Sequence, residues 1–271
     1  MNNQYILPSV LLNFRKWKKN YRIWIVFAFE LSIMWVSTGH FKSIAEERSL
    51  AISAGFFAVW CGHKIGRFVM FLGILVLFCN APFMDEQHQF IMIRLGKQKW
   101  FLGQMIYMLL ASFLYFAVMY IFCVIRFIPY INFANLWGDV LYSTVEEIGI
   151  IRKVALDNIS PISACVKMYI LCSVIGTFLG FIMTLSNVYH RGKLGVGIVS
   201  ILLCITYFIS DFFVGRSVFG LKRFSILDWC DIDNYVDQTY AKGQSYPLNL
   251  SIIVILSLVI FVLCFRKWKR D

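Results

Sequence analysis

Phe101–Arg126 reads FLGQMIYMLLASFLYFAVMYIFCVIR, and its first 25 residues carry no charged side chain. A helix crossing a bilayer needs about 20 predominantly apolar residues, so this stretch is expected to span a membrane. Working outward from it, five further segments have the same character, giving six expected spans at about 23–40, 67–83, 101–126, 164–188, 194–213 and 247–265. The second is the least regular. It follows an apolar stretch, Ala51–Gly62, and the polar residues His63, Lys64 and Arg67. About 12 residues are too few to cross, so 51–62 reads as an interfacial or re-entrant piece, with one long tilted helix from about 50 to 83 as the alternative.

Composition points the same way. Of 271 residues, 59% are hydrophobic and 15% charged, against about 45–50% and about 25% in a soluble domain. That apolar excess cannot be hidden in one core of this size, which excludes a soluble enzyme, a disordered tail or a disulfide-stapled secreted domain. Six of the eight cysteines lie in apolar runs, where a thiol acts as a small hydrophobe. Cys61 and Cys230 are the two expected in aqueous or interfacial segments. The chain opens without an apolar stretch followed by a small-residue cleavage site, so no removable signal peptide is expected.

Charge sets the expected orientation. With both termini inside, the segments 1–22, 84–100, 189–193 and 266–271 hold 14 basic residues and three acids, whereas 96 residues of loop at 41–66, 127–163 and 214–246 hold nine basic ones. Lys and Arg concentrate on the cytoplasmic side of membrane proteins. The chain therefore reads as an all-α, polytopic, multi-pass protein of a bacterial cytoplasmic membrane with both termini cytoplasmic. Because its basic surplus sits beside the spans, the expected counter-charge is anionic lipid and not nucleic acid. Phe14–Lys19 (FRKWKK) and Phe265–Arg270 (FRKWKR) both read as interfacial anchors. Upstream, Val10, Phe14, Trp17 and Tyr21 form one ridge at i, i+4, i+7 and i+11, the pattern of an amphipathic helix over 1–22 lying on the inner leaflet.

Several chemistries lack their residues. No GxxxxGK[ST] phosphate loop, HExxH or GxSxG occurs, so no catalytic residue and no nucleotide cofactor is assigned to this chain. The four histidines are scattered, and Cys61 with His63 provides two ligands where a metal site needs more; no metal is expected. Glu146–Glu147 with Arg152 lacks the spacing and the following FxxxH of intramembrane proteases, and reads as solvated loop acids. Asp231, Asp233 and Asp237 lack the glycine of a calcium loop. One acid stands inside a span: Glu30, which must face a partner or a water-filled cavity, hydrogen-bond a neighbouring helix, or be protonated. It is a candidate for a substrate path or a subunit interface. In span four, Gly176 and Gly180 form GxxxG, flanked by Cys172 and Thr184 at the same spacing, a small face for close helix packing.

The cytoplasmic segment 84–99 is longer than a turn requires. Met84, His88, Ile91 and Leu95 form one ridge, while Phe90 and Ile93 lie elsewhere. Two apolar patches imply one side on the membrane domain and the other available to a soluble partner, with Gly96 ending the helix. Within this segment, Ile93-Arg94-Leu95-Gly96-Lys97-Gln98-Lys99-Trp100, with Gln104, resembles the IRLGSRKKW segment of small type-2 ABC exporter permeases of Gram-positive bacteria. Asp85–Glu86 is similar to the acidic pair that opens it, and the six-span layout is alike. The Lys97-Gln98-Lys99 order departs slightly from the two basic residues usual after the glycine.

The resemblance implies a coupling helix, with Asp85, Glu86, His88, Phe90, Ile91, Arg94 and Leu95 gripping a separate ABC ATPase subunit that carries ATP and Mg. It implies a connecting helix bearing Phe14, Trp17 and Tyr21, and pairing with a second permease copy or a related permease. It also implies short helices over the outer exit within 214–246, and an amphipathic, peptide or lipid-like substrate such as an antimicrobial peptide. A secondary carrier, or another six-span protein with no ATPase partner, is the alternative expectation.

Overall fold

The computed structural model describes residues 6–84, 88–148, 151–190, 194–212, 224–236 and 245–270. In chain order the helices are α1 (Ile6–Trp17), α2 (Tyr21–Ser37), α3 (Gly39–Arg48), α4 (Phe56–Gly62), α5 (Lys64–Phe78), α6 (His88–Leu95), α7 (Lys97–Arg126), α8 (Asp139–Ile148), α9 (Lys153–Asn158), α10 (Pro161–His190), α11 (Leu194–Phe212) and α12 (Tyr246–Arg270). Extended structure among these residues amounts to a two-residue parallel pairing of Ile52–Ser53 with Ile131–Asn132.

The bundle is built around α10, which packs against α4, α5, α7, α11 and α12. Its small residues allow this. A side chain added at Gly176 would meet Ser112 and Phe116 of α7, and one at Gly180 would meet the Phe78 ring of α5 at 2.8 Å. The GxxxG face is thus occupied by helices of the same chain. Cross-helix hydrogen bonds add to the packing: the Ser112 hydroxyl donates to the Ser173 carbonyl (2.8 Å) and the Tyr169 hydroxyl to the Phe113 carbonyl (3.1 Å). Between apolar helices in lipid, close contact and such bonds supply the cohesion that water would otherwise drive.

Among the described residues, α7, α10 and α12 are long and apolar enough to cross a membrane. The number reaches five if the bent pairs α2–α3 and α4–α5 each form one span. The apolar part of α11, Leu194–Ile209, is shorter than a full crossing. On α12, Leu248, Ile255 and Leu258 are more than half exposed, a greasy outer face suited to lipid and not to water.

Two sequence expectations change here. A single helix over 50–83 does not form: α4 and α5 meet at 93°. The break lies at His63, whose imidazole Nδ1 accepts the Gly66 amide (3.0 Å) and so caps α5. Phe56 through Cys61 are all buried, so 56–62 is enclosed by protein and not laid on an interface. Cys61 and Cys230, expected near water, are both fully buried, and the Cys61 sulfur lies 3.8 Å from that of Cys172.

Candidate functional site

The segment that bears the family resemblance forms α6, a two-turn helix with two different sides. Ile91, Met92 and Leu95, spaced to share a face, are half-buried, and Ile91 and Met92 pack against the bundle. Phe90 and Ile93 stand out, 70% and 82% exposed, beside the exposed Arg94. Positions 90, 93 and 94 follow helical i, i+3, i+4 spacing and make one outward face. Asp85 and Glu86 lie outside the described residues, as does the His88 side chain. Gly96 closes α6 by donating its amide to the Met92 carbonyl (2.8 Å), and its φ of 82° and ψ of 142° are reached readily only by glycine. Lys97 then starts α7 at once, so α6 is joined to a 30-residue helix by a single residue.

The α1 helix is placed differently from the sequence expectation. Its ridge does not lie on lipid: Val10 is buried, and Phe14 and Trp17 pack on α7. The Trp17 indole N–H donates to the Tyr107 hydroxyl (2.7 Å), and the Asn13 amide donates to the Gln104 side-chain oxygen (3.1 Å). The physical reason is that Ser9 and Asn13, both buried, share the ridge's side, and Asn13 finds on α7 a polar partner, Gln104, that lipid lacks. The surface left outward carries Leu7 and Leu11, both exposed. Tyr21 belongs not to this helix but to α2, and it is exposed.

Glu30 is 3% exposed and faces the bundle interior. One of its carboxyl oxygens, together with the Tyr115 hydroxyl, occupies the space a side chain at Gly73 would fill. The Tyr115 hydroxyl donates to the Met70 carbonyl (3.0 Å), and the Glu30 Oε1 atom has no hydrogen-bond partner. The acid is therefore lodged between α2, α5 and α7 beside a glycine.

Sequence reasoning missed the strongest polar cluster, at the opposite end of α5. The Arg67 guanidinium, 2% exposed, donates to Asp228 (3.1 Å) and to the Cys61 carbonyl (3.2 Å), and lies 3.6 Å from an Asp231 oxygen. Burial pushes the Asp231 carboxyl above the usual carboxylate range, with Arg67 opposing. Asp233 accepts the Arg152 amide (3.2 Å) and lies 4.0 Å from its guanidinium. The acidic run thus meets arginines of the same chain, and Asp237 lies outside the described residues. The Ser225 hydroxyl donates to the Thr206 carbonyl (3.1 Å) and the Asn234 amide to the Asp228 carbonyl (2.7 Å). Together these bonds fix the 224–236 segment, two 3-10 turns, onto the bundle. The only signal available in sequence was an arginine at a span end and acids in a loop about 160 residues later, a pairing that spacing does not reveal.

Comparison with known proteins finds no matching family model, no similar curated protein and no similar solved structure.

Proposed function

We propose that this chain is the membrane-spanning permease subunit of an ATP-driven exporter, with ATP hydrolysed on a separate ABC ATPase subunit. In this reading the protein crosses the bacterial cytoplasmic membrane six times. The crossings are α2–α3, α4–α5, α7, α10, α11 and α12, and both termini are cytoplasmic. The permease would work as a pair, with a second copy or a related permease, and would move an amphipathic, peptide or lipid-like substrate.

One observation carries the reading: the outward face of α6, with Phe90 and Ile93 presented beside Arg94 while the opposite side is held by the bundle. A helix resting on lipid needs one apolar face; this one has a second. Apolar anchors ringed by charge are the usual core of a protein interface. Rigid attachment through Gly96 to α7 would pass a push on α6 into a membrane-spanning helix. Packing of α1 along α7 supports a connecting role, because a movement of either would be felt by both.

The test is affinity purification of the full chain from its native membrane, followed by photolabelling with an ATP analogue in the presence of Mg. A nucleotide-binding partner is expected with the native chain. It should be lost in F90D/I93D, with insertion and helix content unchanged. A chain that transports its cargo with no ATP-labelled partner would overturn the reading. The specific observation favouring a secondary carrier is Glu30, a buried acid with an unpartnered oxygen; transport that survives ATP depletion but fails in E30Q would support that alternative.

A further inference from the structure

Three thiols meet where α4, α10 and the 224–236 segment come together. Cys61 of α4, Cys172 of α10 and Cys230 of the first 3-10 turn are all fully buried. The Cys61 and Cys172 sulfurs, 111 positions apart in the chain, lie 3.8 Å from one another, and the Cys172 thiol also interacts with that of Cys230. A disulfide bond is about 2.05 Å long, so joining Cys61 to Cys172 asks their sulfurs to close by about 1.8 Å. That is a small movement for two groups already in contact. Among the described residues no three metal-ligating side chains are grouped to hold an ion. What this contact offers is therefore thiol chemistry between one pair.

The 224–236 segment is seated on both helices that carry the pair. Its first turn, Asp228–Cys230, packs on α10, and its second, Ile232–Tyr235, packs on α4. The Arg67–Asp228 ion pair and the bond from Ser225 to the Thr206 carbonyl hold it there. A short segment held by a few such bonds opens locally without the whole protein unfolding. We propose that Cys61 and Cys172 form a redox-sensitive latch: hydrogen peroxide, admitted when 224–236 lifts, oxidises them to a disulfide that ties α4 to α10. In the first step one sulfur attacks a peroxide oxygen and the O–O bond breaks. The thiol proton passes to the departing hydroxide, leaving a sulfenic acid and one water. The second sulfur then displaces the sulfenic hydroxyl, which leaves with the second thiol's proton as another water. The two sulfurs together give up two electrons, and the peroxide takes them. The inference does not draw on the ATPase reading.

The test uses the full chain purified reduced in a neutral detergent and exposed to hydrogen peroxide. Remaining thiols are blocked with iodoacetamide, and cross-linked peptides are mapped by mass spectrometry without reductant. A bond between positions 61 and 172 is expected, reversed by dithiothreitol, absent from C172S and retained in C230S. In D228A the bond should form at least about tenfold faster, because an arginine left without that partner holds the segment less firmly. Should D228A fail to fold, S225A, which removes the bond to the Thr206 carbonyl, must speed the reaction in the same direction. A bond mapped from Cys172 to Cys230, sulfinic acid with no cross-link, no reaction at all, or a native rate in the segment variants would each overturn the assignment.

Discussion

At Gly73 an added methyl group would collide with the Tyr115 hydroxyl and come within 2.6 Å of a Glu30 carboxyl oxygen. Tyr115 is fully buried and its hydroxyl is tied to the Met70 carbonyl, so neither neighbour can withdraw easily. Gly73→Ala is therefore expected to destabilise the protein by about 1–3 kcal/mol, the range for overpacking a filled interior. Tyr115→Phe removes the colliding oxygen. The double variant should recover part of the loss, so the two changes should be measurably non-additive in detergent unfolding. Additive losses would mean that Gly73 matters for some other reason. Glu30→Gln should leave the unfolding midpoint nearly unchanged, because the amide keeps the size of the buried carboxyl group and carries no charge; a large loss would show that the acid is tied by a partner.

Among the elements, α6 and the 224–236 segment are held by contrasting means. The angle of α6 rests on one glycine whose φ is positive. Gly96→Ala introduces no collision, yet it forces a backbone conformation costing about 1–3 kcal/mol. That cost should be relieved by reorienting α6. Spin labels at Ile93 and on α7 should report a broadened or shifted distance in Gly96→Ala, and an unchanged distance would show that α6 is held by its buried face alone. The 224–236 segment is instead held by buried ions. Removing one member leaves the other uncompensated, at about 3–5 kcal/mol. Asp228→Ala should thus lower stability strongly and open 224–236 to limited proteolysis. Arg67→Met/Asp228→Met, which empties the pair of charge, should be less damaged than the single variant. The double variant also takes the guanidinium away from Asp231, which lies 3.6 Å from Arg67, so full recovery is unexpected.

For the whole molecule, the decisive quantity is which side each loop occupies. Residues from the start of α2, the end of α5, the start of α7 and the ends of α10 and α12 line one cavity, so these helix ends lie together. In a cysteine-free background, a membrane-impermeant maleimide applied to intact cells should label Phe133→Cys and Phe224→Cys, both at exposed positions. It should label Phe90→Cys only after permeabilisation. Outside labelling at position 90 would invert the layout and remove the docking face from the cytosol.

Hydropathy and charge in the chain by themselves determined that it is a helical membrane protein, where its long apolar helices run, and that a helix ends at Gly96. Those features are local: a run of apolar residues, or a glycine at a helix end, carries its meaning within a few turns. The faces of α1, the partners of Arg67, the burial of Cys61 and Cys230 and the lodging of Glu30 beside Gly73 were decided only by tertiary packing. An apolar ridge such as Val10, Phe14 and Trp17 reads the same whether its partner is lipid or protein. The choice depends on residues such as Tyr107 and Gln104, about 90 positions away, which meet it only when the helices assemble.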